Sequence, residues 1–99
     1  MFSTREELLT CLCQHLPELR RQYPIGRLAL FGSWARNEAR PDSDVDLMVE
    51  VDPQIGLGFV DLADRLEEIL GRPVDLVSER SLRQRLWPFV QSDLIDAEA

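Results

Sequence analysis

The sequence predicts a mixed α/β domain in which a small mixed β-sheet is flanked by helices. Its 99 residues are 44% hydrophobic and 29% charged, a balance typical of one folded domain spanning residues 1–99. Segments with apolar residues at helical spacing alternate with short apolar runs that end in turn residues. The resulting order, α-β-α-β-α-β-α, is the order of a mixed α/β domain.

The first segment carries an apolar stripe interrupted by a proline. A Ser-x-x-Glu capping box at residues 3–6 predicts that a helix begins near Thr4. Because Pro17 has no backbone N–H, we expect two short helices, over residues 4–15 and 17–22. The stripe consists of Leu8, Leu9, Leu12, Leu16 and Leu19.

Two strands with a helical turn between them are expected next. Residues 27–31 form an apolar run that ends at Gly-Ser, as a buried strand would. Residues 33–38 suit one or two helical turns. Residues 44–51 begin polar and end apolar, which predicts a second strand that becomes buried along its length.

The second half of the chain predicts a helix, a strand and a further helix. Residues 57–70 place their apolar side chains on one helical face and are followed by a Gly suited to the C-terminal cap. Residues 73–77 form a third strand. A last helix begins at residue 81 and is interrupted near Pro88, and residues 91–99 end in a short strand or a tail.

The charges argue against a nucleic-acid-binding surface. The formal net charge is −7, and all 11 basic residues are Arg. Residues 41–99 carry 14 acidic residues against five Arg. General nucleic-acid binding needs clustered cations and is therefore not expected. Concentrated carboxylates suit a metal ion, a basic partner or simple solubility.

Nothing in the sequence predicts a membrane or secreted location. No apolar run approaches the roughly 18 residues of a membrane-spanning helix, and the first ten residues lack the apolar core of a secretory signal. Cys11 and Cys13 are two apart on a predicted helix and do not face each other. We expect free thiols in a reducing cytoplasm.

The chemistry-bearing residues lie between the first two strands. Gly32 and Ser33 are followed by ten residues and then by Asp44-x-Asp46. Asp44 and Asp46, two apart at the start of a strand, point to the same face. Two adjacent carboxylates repel each other unless a cation lies between them, and hard oxygen ligands suit Mg²⁺. Gly32 would let a phosphate approach the backbone, and the Ser33 hydroxyl would donate to it.

The expected topology adds a third carboxylate. If the first two strands are antiparallel neighbours, Gly32 and Ser33 lie beside Asp44 and Asp46. A crossover through helix 57–70 makes the third strand parallel to the second and brings Asp75 alongside. Carboxylates beside a phosphate-binding Gly-Ser predict nucleotidyl transfer. Two Mg²⁺ ions would be held there, and Asp75 would take the proton of the attacking hydroxyl.

The stretch FGSWARNEARPDSDVDL resembles the GSx10DxD signature of the DNA polymerase β-like nucleotidyltransferases. It is most similar to the minimal nucleotidyltransferases, whose usual form is GSxARGxxxxxSDxDL. The resemblance covers most of the chain and implies a nucleotidyltransferase core that uses MgATP. It also implies an antitoxin that binds a HEPN ribonuclease toxin as a hetero-oligomer and adenylylates a toxin tyrosine. Asn37 replaces the usual Gly, and Asn tolerates the left-handed backbone expected there.

The sequence leaves the roles of several residues open. Arg36 either binds phosphate or pairs with Glu38 or Asp42. Trp34 stacks on a base, contacts a partner or packs locally. A group of apolar residues near the C-terminus belongs to the core or to a partner interface: Leu82, Leu86, Trp87 and Phe89.

Two other functions stay open on the sequence alone. One is a non-catalytic binding module that neutralises a toxin by occlusion. The other is a nucleotidyltransferase that acts on a hydroxyl of a small molecule or an RNA.

Overall fold

A computed structural model describes residues 2–98 and confirms the mixed α/β class. The short 3-10 turns lie at Pro53–Ile55 and Gln91–Asp93. In chain order, the remaining elements are α1 (Arg5–Gln22), β1 (Ile25–Phe31), α2 (Gly32–Ala35), β2 (Val45–Val51), α3 (Gly58–Leu70), β3 (Val74–Ser78), α4 (Glu79–Arg85), α5 (Trp87–Val90) and β4 (Ile95–Asp96).

The four strands form one sheet in the order β3-β2-β1-β4. Strand β1 is antiparallel to both β2 and β4, whereas β2 and β3 are parallel and are joined through α3. The predicted pairing of the first three strands is therefore confirmed. The short β4 covers the outer edge of β1, which leaves β3 as an edge strand.

The two faces of the sheet are covered by different helices. On one face, β1 and β2 residues such as Leu30 and Leu47 are fully buried against α1 and α3. On the other face, Ala29 and Met48 are buried against α4 and α5, in one cluster with Leu82. Because side chains alternate along a strand, Asp46 lies on the same face as Met48, which is the α4–α5 face.

The first helix is continuous, so the prediction of two short helices is wrong. Pro17 lies inside α1 and its side chain is exposed. The stripe of buried leucines continues through it: Leu8, Leu12, Leu16 and Leu19. An interior proline costs about 3 kcal/mol, and each fully buried leucine contributes about 1.5–3 kcal/mol. Packing against the sheet therefore outweighs the lost backbone hydrogen bond.

The helix boundaries also differ slightly from those predicted. The capping box of α1 is formed by Thr4 and Glu7, one residue later than expected, with Thr4 Oγ1 accepting from the Glu7 N–H at 3.1 Å. The helical turn after β1 is shorter than residues 33–38 and ends at Ala35. Gly71, with a φ of 67°, caps the C-terminus of α3, which confirms the predicted glycine cap.

No helix within residues 2–98 is both long enough and apolar enough to cross a membrane.

Candidate active site

The end of β1 lies against the start of β2. Phe31, the last residue of β1, is opposite Asp46 in the antiparallel register. Gly32 follows with a φ of 78°, in the left-handed region that favours glycine. A β-carbon built on Gly32 would collide with the Asp46 carboxylate. The absence of a side chain at residue 32 is therefore what allows the Asp46 carboxylate to lie against this turn.

The carboxylates come from both parallel strands. Asp46 and Asp75 are direct register partners across β2 and β3. Asp44 lies immediately before β2 and is exposed, as is Asp75 on the edge strand, while Asp46 is half-buried. The structure thus brings Asp75 beside Asp46, next to Gly32, and Ser33 follows as a partly exposed residue in α2.

The electrostatics of the site centre on Asp46. Burial raises the pKa of the Asp46 carboxyl above its usual value, and the nearby charges of Asp75 and Asp44 raise it further. The Arg36 guanidinium acts in the opposite direction. Ionised Asp46 is therefore held in an unfavourable environment of burial and like charge, which a bound cation would relieve.

The carboxylates of Asp44, Asp46 and Asp75 are of the kind that binds Mg²⁺, although their side chains do not converge on one point. In the part of the chain that the structure describes, no group of three or more His, Cys, Asp or Glu side chains is arranged to hold a metal. The fit rests on the electrostatic coupling of Asp46 with Asp44 and Asp75, and on carboxylate oxygens being the ligands that Mg²⁺ takes.

Arg36 is held by two carboxylates. Its Nε donates to Glu38 at 3.0 Å, one of the predicted pairings, and its Nη1 donates to Asp93 at 2.8 Å. The structure does not give Asp42 as a partner. Sequence reasoning missed Asp93 because it lies 57 residues away, beyond any local pattern. Close to half of the Arg36 side chain remains exposed, so these ion pairs leave part of it accessible.

Trp34 packs locally and is not free to stack on a base. It is buried and meets the Phe2 ring edge to face, with 5.1 Å between ring centroids. Its indole Nε1 donates to the Ser43 carbonyl at 3.4 Å. Asn37 has a φ of 62°, which confirms the left-handed backbone expected from the residue that replaces the usual Gly.

Comparisons with known proteins identify the family of this chain. The family model for the nucleotidyltransferase domain matches residues 12–98. Protein adenylyltransferase MntA of Thermococcus cleftensis is 37% identical over 94 residues, which cover 93% of this chain and 94% of the relative.

Solved structures show the same fold. A candidate minimal nucleotidyltransferase superimposes with a TM-score of 0.76 at 37% identity and covers 94% of this chain and 95% of its own. A toxin–antitoxin structure with AMP-PNP superimposes with a TM-score of 0.54 at 28% identity, over 70% of this chain and 58% of that one. The chain therefore belongs to the minimal nucleotidyltransferases and is a nucleotidyltransferase enzyme.

Proposed function

We propose that this protein transfers AMP from ATP to a tyrosine hydroxyl of a HEPN ribonuclease toxin, with release of pyrophosphate, and so acts as its antitoxin. The observation that carries the proposal is the pairing of Asp46 with Asp75 beside Gly32. The similarity to a protein adenylyltransferase and to a toxin–antitoxin structure with AMP-PNP supports the nucleotide and the class of partner.

Each site residue has a role in this proposal. Asp44, Asp46 and Asp75 would hold Mg²⁺, with two ions expected. Bound Mg²⁺ would neutralise the phosphates and favour ionisation of the attacking hydroxyl. Gly32 and Ser33 would receive the phosphates, the first by leaving the backbone accessible and the second by donating its hydroxyl.

Asp75 would also accept the proton of the tyrosine, since a carboxylate at the attacking oxygen can act as a general base. Asp75 is exposed on the edge strand β3, so an acceptor can approach it from solvent. The half-buried Asp46 is less accessible. The greater exposure of Asp75 thus suits it to accept the proton of the tyrosine, and the burial of Asp46 suits it to bind the metal. Arg36, whose side chain is partly exposed beside Asp46, would bind phosphate.

The toxin would dock on a patch that we call the α4–α5 patch, formed by Leu86 and Phe89. Their exposed fractions are 47% and 76%, unusually high for apolar side chains. Of the apolar residues that the sequence leaves open between core and interface, Leu82 belongs to the core, because it is buried against the sheet. The patch follows directly on α4, which lies on the same face of the sheet as Asp46.

Arginines border this patch although the second half of the chain is acidic. Arg83 lies over the Trp87 ring, 4.1 Å from its centroid, and Arg80 and Arg85 are exposed. The sequence predicts a basic partner from the overall charge of residues 41–99. Around the patch itself, charge complementarity favours an apolar pocket on the toxin that is bordered by carboxylates.

The transfer is tested by intact-mass measurement of the toxin after incubation with MgATP. We expect wild-type protein to add the mass of AMP to the toxin and to silence its ribonuclease activity, and Asp44→Asn to do neither. Tyr23 is the only tyrosine of this chain. Its hydroxyl donates to Asp61 at 2.6 Å, an interaction that raises the pKa of Tyr23 to about 12, so self-modification is not expected.

The same measurement separates the alternatives. If wild-type protein and Asp44→Asn silence the toxin equally and add no mass to it, the toxin is neutralised by occlusion and not by transfer. Mass added to an RNA or a small molecule, with the toxin unmodified, would change the acceptor but keep the chemistry.

A variant of the α4–α5 patch tests where the toxin docks. Phe89→Ser is expected to weaken toxin binding by about tenfold or more, because an exposed aromatic at the centre of an interface contributes more than 1 kcal/mol. Isothermal titration of the two proteins measures this. Leu57→Ser is the matched control, since Leu57 is an apolar residue that is 89% exposed before α3 and is not part of the α4–α5 patch. Equal binding by the Phe89 variant and wild type would place the interface elsewhere.

A further inference from the structure

One arginine that has no carboxylate partner within residues 2–98 sits at the junction of three parts of the site. Arg72 lies between α3 and β3, three residues before Asp75. The central carbon of its guanidinium is 5.0 Å from the centroid of the Phe2 ring and 5.1 Å from that of the Trp34 ring. Its Nη1 donates to the backbone carbonyl of Pro41. The side chain therefore joins the segment before Asp75 to the segment before Asp44.

A second side chain holds the same segment. The Trp34 indole donates to the Ser43 carbonyl, two residues after Pro41. We call residues 40–44 the Asp44 loop. The loop is closed on itself because the Ser43 N–H donates to the Arg40 carbonyl at 3.0 Å and the Ser43 hydroxyl accepts from the Arg40 N–H at 2.9 Å. Trp34 directly follows Ser33, so this contact ties the loop to the Gly-Ser turn.

Stability alone is a poor explanation for Arg72. Its Nε is buried and has no hydrogen-bond partner in the part of the chain that the structure describes. No acidic side chain forms an ion pair with it among those residues. A buried donor left unpaired opposes folding. Arg36 lowers the pKa of Asp46, whereas Arg72 is not among the causes of that shift. The contacts of Arg72 that bear on the site are those with the Phe2 and Trp34 rings and with the Pro41 carbonyl.

We propose that Arg72 and Trp34 are positioning residues that fix the Asp44 loop against the Gly-Ser turn and the start of β3. This inference rests on the proposed function in one respect, the role of Asp44 as a metal ligand. Three carboxylates from two strands and a loop bind one cation only if the loop is held in place. The Phe2, Trp34 and Arg72 side chains supply that restraint through their ring contacts and through the hydrogen bonds to the Pro41 and Ser43 carbonyls.

The first test measures the loop itself by amide hydrogen exchange. Arg72→Met keeps the length of the side chain and removes its donors, and Trp34→Phe keeps a ring and removes the indole N–H. Both variants are expected to speed exchange of the Ser43 amide by about tenfold and to leave the amides of α3 unchanged. Arg72→Lys, which retains a cation over the rings and a donor, should restore much of the protection. Arg21→Met, at an exposed position of α1, is the matched control and should change neither.

The second test measures the affinity of the same variants for Mn²⁺ by calorimetry, as a probe for Mg²⁺. Arg72→Met is expected to bind Mn²⁺ about tenfold more weakly, the usual effect of losing a group that orients a ligand. Unchanged Ser43 exchange would overturn the proposal. Faster exchange throughout α3 would also overturn it, because Arg72 would then be a general stability residue. If Asp44→Asn binds Mn²⁺ as tightly as the wild-type protein does, the proposed metal site fails, while the exchange result still tests whether Arg72 and Trp34 hold the Asp44 loop.

Discussion

Replacing Asp46 by Asn is expected to abolish nucleotidyl transfer and, at the same time, to stabilise the metal-free protein. Activity is lost because the amide cannot replace a charged metal ligand. Stability rises because the native fold holds a half-buried carboxylate beside Asp75 and Asp44, and the amide removes both the burial of charge and the repulsion. Opposite changes in activity and stability are what distinguish a functional carboxylate from a structural one.

The stability gain should depend on pH in a definite direction. The pKa of Asp46 in the native state lies above its usual value of 3.8, first through burial and then through Asp75 and Asp44. As the pH falls, the native protein therefore takes up this proton before the unfolded chain does. Ionised Asp46 lowers the free energy of unfolding by its full amount only above the native pKa. That contribution fades as the pH falls through the native pKa toward 3.8. The advantage of Asp46→Asn should be largest at neutral pH and should vanish in acid.

Thermal unfolding of the metal-free proteins at neutral pH and at about pH 3 measures the stability gain and its loss in acid. Asp42→Asn is the matched control, because Asp42 is an exposed carboxylate of the same loop and is not among the groups that shift Asp46. It should leave transfer and unfolding nearly unchanged. Asp44→Asn should abolish transfer with a smaller gain in stability, since Asp44 is exposed. Unfolding of the Asp46 variant at room temperature would instead make this carboxylate structural.

The parts of the site that the sequence predicted are those encoded by local pattern. The Gly-Ser turn follows an apolar strand, and the Asp-x-Asp pair opens the next one, so a single antiparallel pairing brings them together. Asp75 stands out as an acidic residue between Val74 and Leu76. A short crossover helix allows β3 to pair in parallel with β2, which places Asp75 in register with Asp46.

The parts that were missed depend on packing between distant segments. Pro17 stays inside α1 because leucines on both sides of it are buried, and burial is not visible from the local propensity of a proline. The ion pair of Arg36 with Asp93 joins residues 57 apart. Arg72 reaches Phe2 and the carbonyl of Pro41 only after α1 and α3 have packed on one face of the sheet. No spacing in the sequence encodes these contacts.

Replacing Gly32 by Ala is expected to cost both stability and activity. Its φ of 78° would place alanine in the left-handed region, at a cost of about 1–2 kcal/mol. The new β-carbon would also collide with the Asp46 carboxylate, which must then move. A shift of about 1 Å in a catalytic group lowers the rate by roughly a hundredfold. We expect transfer to fall by that factor and the melting temperature by roughly 10 °C or more.

The variant Gly71→Ala measures the cost of backbone strain without a collision, for comparison with Gly32→Ala. It has a similar φ of 67° at the end of α3, and a β-carbon there would meet no atom within 4 Å. Gly71→Ala should therefore lower stability by about 1 kcal/mol and leave transfer intact.

A double-mutant cycle assigns the remaining cost of Gly32→Ala to the contact with Asp46. In an Asp46→Ala background the carboxylate is gone and only a 3.2 Å approach to the β-carbon of residue 46 remains, so Gly32→Ala should destabilise the protein much less than it does in the wild-type background. The same large loss of stability in both backgrounds would place the cost in the turn itself. Full activity of Gly32→Ala in the otherwise wild-type protein would show that transfer does not require the close approach of the Gly-Ser turn to Asp46.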